Sequence, residues 1–95
     1  MHGTTAVVSL FNPSESVLAN AAALLSQTAG VVVVDDGSPQ ETSPILEQLA
    51  AMGCQVVRLE QNSGIATALN TGITVALGGT PKPEYVLTMD QDSLL

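Results

Sequence analysis

Val31-Val32-Val33-Val34-Asp35-Asp36-Gly37-Ser38 is the stretch on which the reading of the fold turns. Four β-branched residues in a row suit a strand buried on both faces, the kind found in a parallel sheet covered by helices. Two carboxylates follow at once, and then Gly37 and Ser38, which are turn residues. In open α/β sheets ligands bind outside the carboxyl ends of the strands. The stretch therefore predicts two negative charges at the end of the sheet where chemistry is done.

Working outward, Thr4 to Leu10 reads as an earlier strand, broken by Phe11-Asn12-Pro13 because proline cannot extend a ladder. Ser14 is the expected N-cap of a helix whose apolar positions are Val17, Leu18, Ala21, Ala22, Leu24 and Leu25, with Gly30 closing the segment. Beyond the acidic pair, Ser43-Pro44 predicts a cap with proline at the first helical position. An apolar stripe of Ile45, Leu46, Leu49 and Ala50 follows, with Gly53 as the stop. Gln55 to Leu59 is a third strand of edge character. Asn62 is the expected cap of a third helix running to Leu77, in which Asn70 and Gly72 are read as packing against a strand. Glu84 to Met89 is a fourth strand, ending in Asp90-Gln91-Asp92.

Strands alternating with helices predict an α/β fold: an open parallel sheet of about four strands, in the order 3-2-1-4, with helices on both faces. All strand-to-helix loops then leave one edge of the sheet. Phe11 and Asn12, Asp35 and Asp36, Asn62 to Gly64, and Asp90 to Asp92 are brought together there.

Composition narrows what that edge binds. The chain has 95 residues, a net charge of −7 and only two cationic side chains, which argues against nucleic acid and anionic lipid as partners. Cys54 is the only cysteine and has no neighbouring cation, so it reads as a small buried hydrophobe and not a catalytic thiol. No apolar run is long enough to span a bilayer, and no cationic start precedes an apolar core. The expected compartment is the cytoplasm. Met1 to Gly3 are expected to form a disordered start, with no metal role for His2.

In an extended segment Asp90 and Asp92 point the same way, and paired hard oxygen ligands suit Mg²⁺ or Mn²⁺. A solvated turn is the plainer reading of such a triplet. Asp35 likewise has two readings, a ligand-facing carboxylate or a cap on the turn that follows it. Two adjacent anions are costly to desolvate together, so one of the pair is expected to face donors or solvent. Neither the dinucleotide fingerprint G-x-G-x-x-G nor the P-loop lysine is present.

Taken together, Phe11-Asn12-Pro13, the DDGS of residues 35–38, the NSGIATALNTG of residues 62–72 and the D-Q-D of residues 90–92 resemble the N-terminal part of a family-2 inverting nucleotide-sugar glycosyltransferase of the GT-A type. Asn12-Pro13, Gly64-Ile65-Ala66 and the D-Q-D-S ending most resemble its bacterial rhamnosyltransferase branch. The resemblance implies that Asp36 binds the nucleotide base, with Phe11 lining the same pocket, Asp35 supporting the loop, and Asn62 and Gly64 bordering the nucleotide. It implies that Asp92 holds a divalent Mg²⁺ or Mn²⁺, with Asp90 near the ribose or metal. The implied donor is a dTDP- or UDP-linked sugar, and the implied acceptor a glycan or lipid-linked hydroxyl reached from the inner face of a membrane.

A domain of this type is expected to need about twice this length. The chain is therefore read as a single truncated donor-binding domain, residues 1–95, without the acceptor-binding half or the general base. Its fourth strand is expected to be an open edge that invites self-association. Two other classes compete with the enzyme reading: a non-catalytic α/β interaction module, and a receiver-like phosphoacceptor domain. The second would place its acidic pair after the first strand, where Phe11-Asn12 stands instead.

Overall fold

The computed structural model describes residues 3–79 and 82–90. Four strands, β1 (Thr4–Leu10), β2 (Gly30–Asp36), β3 (Gln55–Leu59) and β4 (Tyr85–Asp90), form one parallel sheet in the order β3-β2-β1-β4. The helices are α1 (Ser16–Gln27), α2 (Ser43–Met52) and α3 (Ile65–Leu77). Fold class and strand order agree with the expectation. A receiver-like domain follows the other doubly wound order, 2-1-3-4-5, so the sheet itself separates this chain from that class.

The pleat of β1 and β2 divides the core. Ala6, Val8, Leu10, Val31 and Val33 pack with Val17 and Ala21 of α1, Leu46 and Leu49 of α2, and Cys54. Val7, Val32 and Val34 pack on the opposite face with Ala68 and Ala76 of α3. That face admits its helix through Gly72, where an added Cβ would lie 2.3 Å from Cγ1 of Val7 and 2.9 Å from Cγ2 of Val34. Burial of Cys54 pushes its thiol pKa up, which fits an inert core residue.

Several local expectations are corrected. Ser14 does not cap α1: its carbonyl accepts from the Val17 amide at 3.2 Å in a preceding turn, and its hydroxyl meets that of Ser16. The end of α1 is made by Thr28 and not by Gly30. The Thr28 hydroxyl donates to the Leu24 carbonyl at 2.8 Å, while Gly30 already belongs to β2. Ser43 is the first residue of α2 instead of its cap, because a 3₁₀ turn over Gln40–Thr42 leads directly into the helix. Gly53 does stop α2, at φ 113° in the left-handed region. Ala22 and Ala50, read as core, are exposed, as is Asn70; the helical stripes are narrower than the apolar composition implied. β4 begins at Tyr85, one residue late. Met1 and His2 lie outside the described residues. Gly3 is anchored, its carbonyl accepting from the amides of Glu84 and Tyr85.

Candidate functional site

β2 ends two residues later than its valine run. Asp35 and Asp36 are its last two residues and both are buried, at 1% and 5% exposure. Successive strand residues point to opposite faces. Asp35 continues the row of Val31 and Val33 toward the α1 and α2 side, and Asp36 the row of Val32 and Val34 toward α3. The pleat thus separates the two charges that the sequence sets side by side, and each finds its own donors.

Asp35 pairs in register with Leu10 of β1 and Arg58 of β3. Its Oδ2 lies 4.0 Å from Nε of Arg58 and accepts from the Ser38 amide at 3.2 Å. Its Oδ1 accepts from the Ser38 hydroxyl. Asp35 is therefore a cap on the turn, one of its two readings. The Ser38 hydroxyl in turn accepts from the amide of Asn12 at 2.7 Å, joining the loop after β2 to the loop after β1. Asn12 sits at φ 49°, a left-handed conformation that asparagine tolerates better than most residues, and Phe11 before it is 50% exposed.

Asp36 serves the other neighbour. Its two oxygens accept from the amides of Ser63 at 2.7 Å and Gly64 at 2.9 Å. These N–H groups lie just before and at the cap of α3, so the carboxylate also complements the positive end of that helix. This corrects the expectation for Asn62: the cap position is Gly64, at φ 94°, and the side chain that answers the amides comes from another strand. Gly37, at φ 78°, allows the two loops to touch, since a Cβ there would stand 2.4 Å from the Asn62 amide nitrogen.

Three of the four expected loops are thus joined at one sheet edge. Phe11, Asn62 and Gly64 lie in these loops, Asp35 and Asp36 at the end of β2 that joins them, and Asp90 closes β4 in register with Ser9 of β1. Asp92 and Gln91, and with them the expected metal site, lie outside the described residues. Among the described residues no group of three or more His, Cys, Asp or Glu side chains could hold a metal ion. Sequence reasoning did not single out Ser38, Ser63 and Arg58 as members of this cluster. Only the S of DDGS carried a usable signal, a turn hydroxyl three residues after an aspartate. At the opposite end of the sheet a groove of 460 Å³ is lined by residues at or next to the strand starts, such as Thr5, Gly30, Gln55 and Glu84. No strand-to-helix loop reaches it. Among the described residues no helix is long and apolar enough to cross a membrane.

Comparison with known proteins agrees with this geometry. Residues 5–95 match the family described as glycosyl transferase family 2. A protein named poly-β-1,6-N-acetyl-D-glucosamine synthase, from Staphylococcus aureus, is 28% identical over the whole chain, which spans 23% of that relative. A Methanocaldococcus jannaschii protein is 33% identical over 92% of the chain and 39% of its own length. The chain thus spans well under half the length of these relatives.

Proposed function

The chain belongs to glycosyl transferase family 2, and from that premise we propose that its joined loops bind the nucleotide of a nucleotide-diphosphate sugar. In this reading the chain supplies the donor-binding part of an enzyme that transfers the sugar to an acceptor hydroxyl in glycan or polysaccharide synthesis. The observation that carries it is the joining of the loops after β1, β2 and β3 by Asp35 and Asp36 at the carboxyl edge of the sheet.

Each residue has a role in this reading. Asp36 keeps acceptor capacity beyond its two amide bonds, since a carboxylate offers about four lone-pair sites, and a base imide N–H is a suitable further donor. Phe11, in the loop after β1, offers an exposed aromatic surface. Asn62 and Gly64 border the ribose and phosphates, and Asp35 holds the loop that carries Gly37 and Ser38. Asp90 and Asp92 would hold Mg²⁺ or Mn²⁺; a bound divalent ion neutralises charge on a diphosphate leaving group. Asp35 and Asp36 are engaged by N–H donors, so neither is placed as the general base.

Two donors follow from two observations. The name of the S. aureus relative supports N-acetylglucosamine as the transferred sugar. The Asn12-Pro13, Gly64-Ile65-Ala66 and D-Q-D-S segments support rhamnose linked to dTDP. Calorimetric titration with UDP, dTDP and their sugars, with and without Mg²⁺ or Mn²⁺, decides between them. Binding that needs metal in the native chain and loses that dependence in Asp92→Ala supports the reading; a folded chain that binds no nucleotide overturns retained donor binding. The reading also places the chain in the cytoplasm, at the inner face of a membrane where lipid-linked acceptors are met. The outer edge of β4, with exposed Tyr85 and Leu87, supports self-association of the chain in solution, which sedimentation velocity measures.

A further inference from the structure

We propose that Ser38 is a positioning residue for the nucleobase, acting through Asn12 on Phe11; the proposal rests on the donor-binding reading above. A serine hydroxyl has one proton to donate and two lone pairs to accept with. Here the proton goes to Oδ1 of Asp35, and a lone pair receives the Asn12 amide at 2.7 Å, across 26 residues of sequence. The Ser38 amide also donates to Oδ2 of Asp35, so the hydroxyl is held from two sides before it meets Asn12.

The anchor behind it belongs to the sheet. Asp35 is 1% exposed within β2, its charge is faced by Arg58 at 4.0 Å, and Nη1 of Arg58 donates to the Ser43 hydroxyl at 3.1 Å. From Ser43 through Arg58, Asp35 and Ser38 to Asn12, a line of polar contacts runs from the start of α2 through β3 and β2 to the loops after β2 and β1. At its far end Asn12 holds a left-handed φ of 49° although Pro13 follows it, a context that favours extended backbone. Phe11 precedes that residue in the same loop and is half exposed. Removing the hydroxyl takes away the acceptor of the Asn12 amide and loosens the loop that carries Phe11, without altering a charged group.

The test compares the native chain with Ser38→Ala, Ser38→Thr and Ser38→Cys. Each is titrated with UDP, dTDP and, as a probe without a base, pyrophosphate in Mg²⁺, and amide hydrogen exchange is followed without ligand. Ser38→Ala is expected to weaken UDP or dTDP binding about three- to tenfold, the worth of one hydrogen bond, and to leave pyrophosphate unchanged. The Asn12 amide should exchange faster in Ser38→Ala, and Ser38→Thr, which keeps the hydroxyl, should restore both readouts. Ser38→Cys, similar in size with a weak donor, should fall between them and serves if the alanine variant does not fold. Nucleotide binding unchanged in Ser38→Ala, or an Asn12 amide as protected as in the native chain, overturns the proposal while leaving donor binding intact. A folded native chain that binds neither UDP nor dTDP overturns the donor-binding reading, and base positioning with it.

Discussion

The two faces of the sheet are packed by different means, and each ends in one of the two aspartates. On one face α1 and α2 fill space with large side chains, among them Leu46 and Leu49, which are almost wholly buried. On the other face α3 lies close against valines because Ala68, Gly72 and Ala76 present little bulk. The filled face terminates at Asp35, which reaches back through Ser38 to the first loop. The close-approach face terminates at Asp36, which reaches forward to the amides at the start of α3. A helix that can approach closely brings its N-terminus within reach of a strand-end carboxylate. A face built by filling leaves its carboxylate to be met by its own turn and by an edge-strand arginine.

The largest test of that difference is Leu49→Ala, which should cost about 2–5 kcal/mol by leaving a cavity on the filled face. Urea unfolding measures it, and a loss near zero would mean that α2 is not packed as described. Asp36→Ala comes next. Removing the charged acceptor from two amides should cost about 1.5–3 kcal/mol and speed exchange at Ser63 and Gly64, with Asn12 unaffected. Protection lost equally in both loops would break the division of labour between the carboxylates.

Gly72→Ala should cost about 1–2 kcal/mol: overpacking against Val7 and Val34 outweighs the better helix propensity of alanine. Adding Val7→Ala should recover part of that loss, and a stabilised Gly72→Ala would refute close approach as the packing mode. Arg58→Ala should cost less than about 1 kcal/mol, because the arginine is exposed and its pair with Asp35 is long. The smallest effect concerns Cys54 on the filled face. Burial raises its folded pKa, so above the ordinary thiol range the unfolded chain ionises first and stability declines as pH rises. A Cys54→Ala variant should lose that alkaline decline in melts at increasing pH.

Much of the architecture was legible in order and spacing. The valine run, the alternation of elements and the edge character of β3 depend on local pattern, and helix stops such as Gly53 depend on backbone freedom that the residue type announces. Caps were less legible. Ser14, Ser43 and Asn62 are all good cap residues by type, yet the turn before each helix took a different path. At α3 a carboxylate from 27 residues away answers the amide that a local side chain would have met. A single sequence lists candidate acceptors and does not say which one arrives.

The paired acids show where that boundary lies. By itself the sequence determined that two carboxylates would end a buried parallel strand at the carboxyl edge of the sheet, because β-branched runs and β-α alternation are properties of the chain. Only the tertiary structure decided what each does. The pleat sends Asp35 and Asp36 to opposite faces, and the donors waiting there, Ser38 and Arg58 for one and the Ser63 and Gly64 amides for the other, are assembled by packing. Adjacent residues with the same chemistry acquire different tasks because a strand alternates and its two neighbours in space do not.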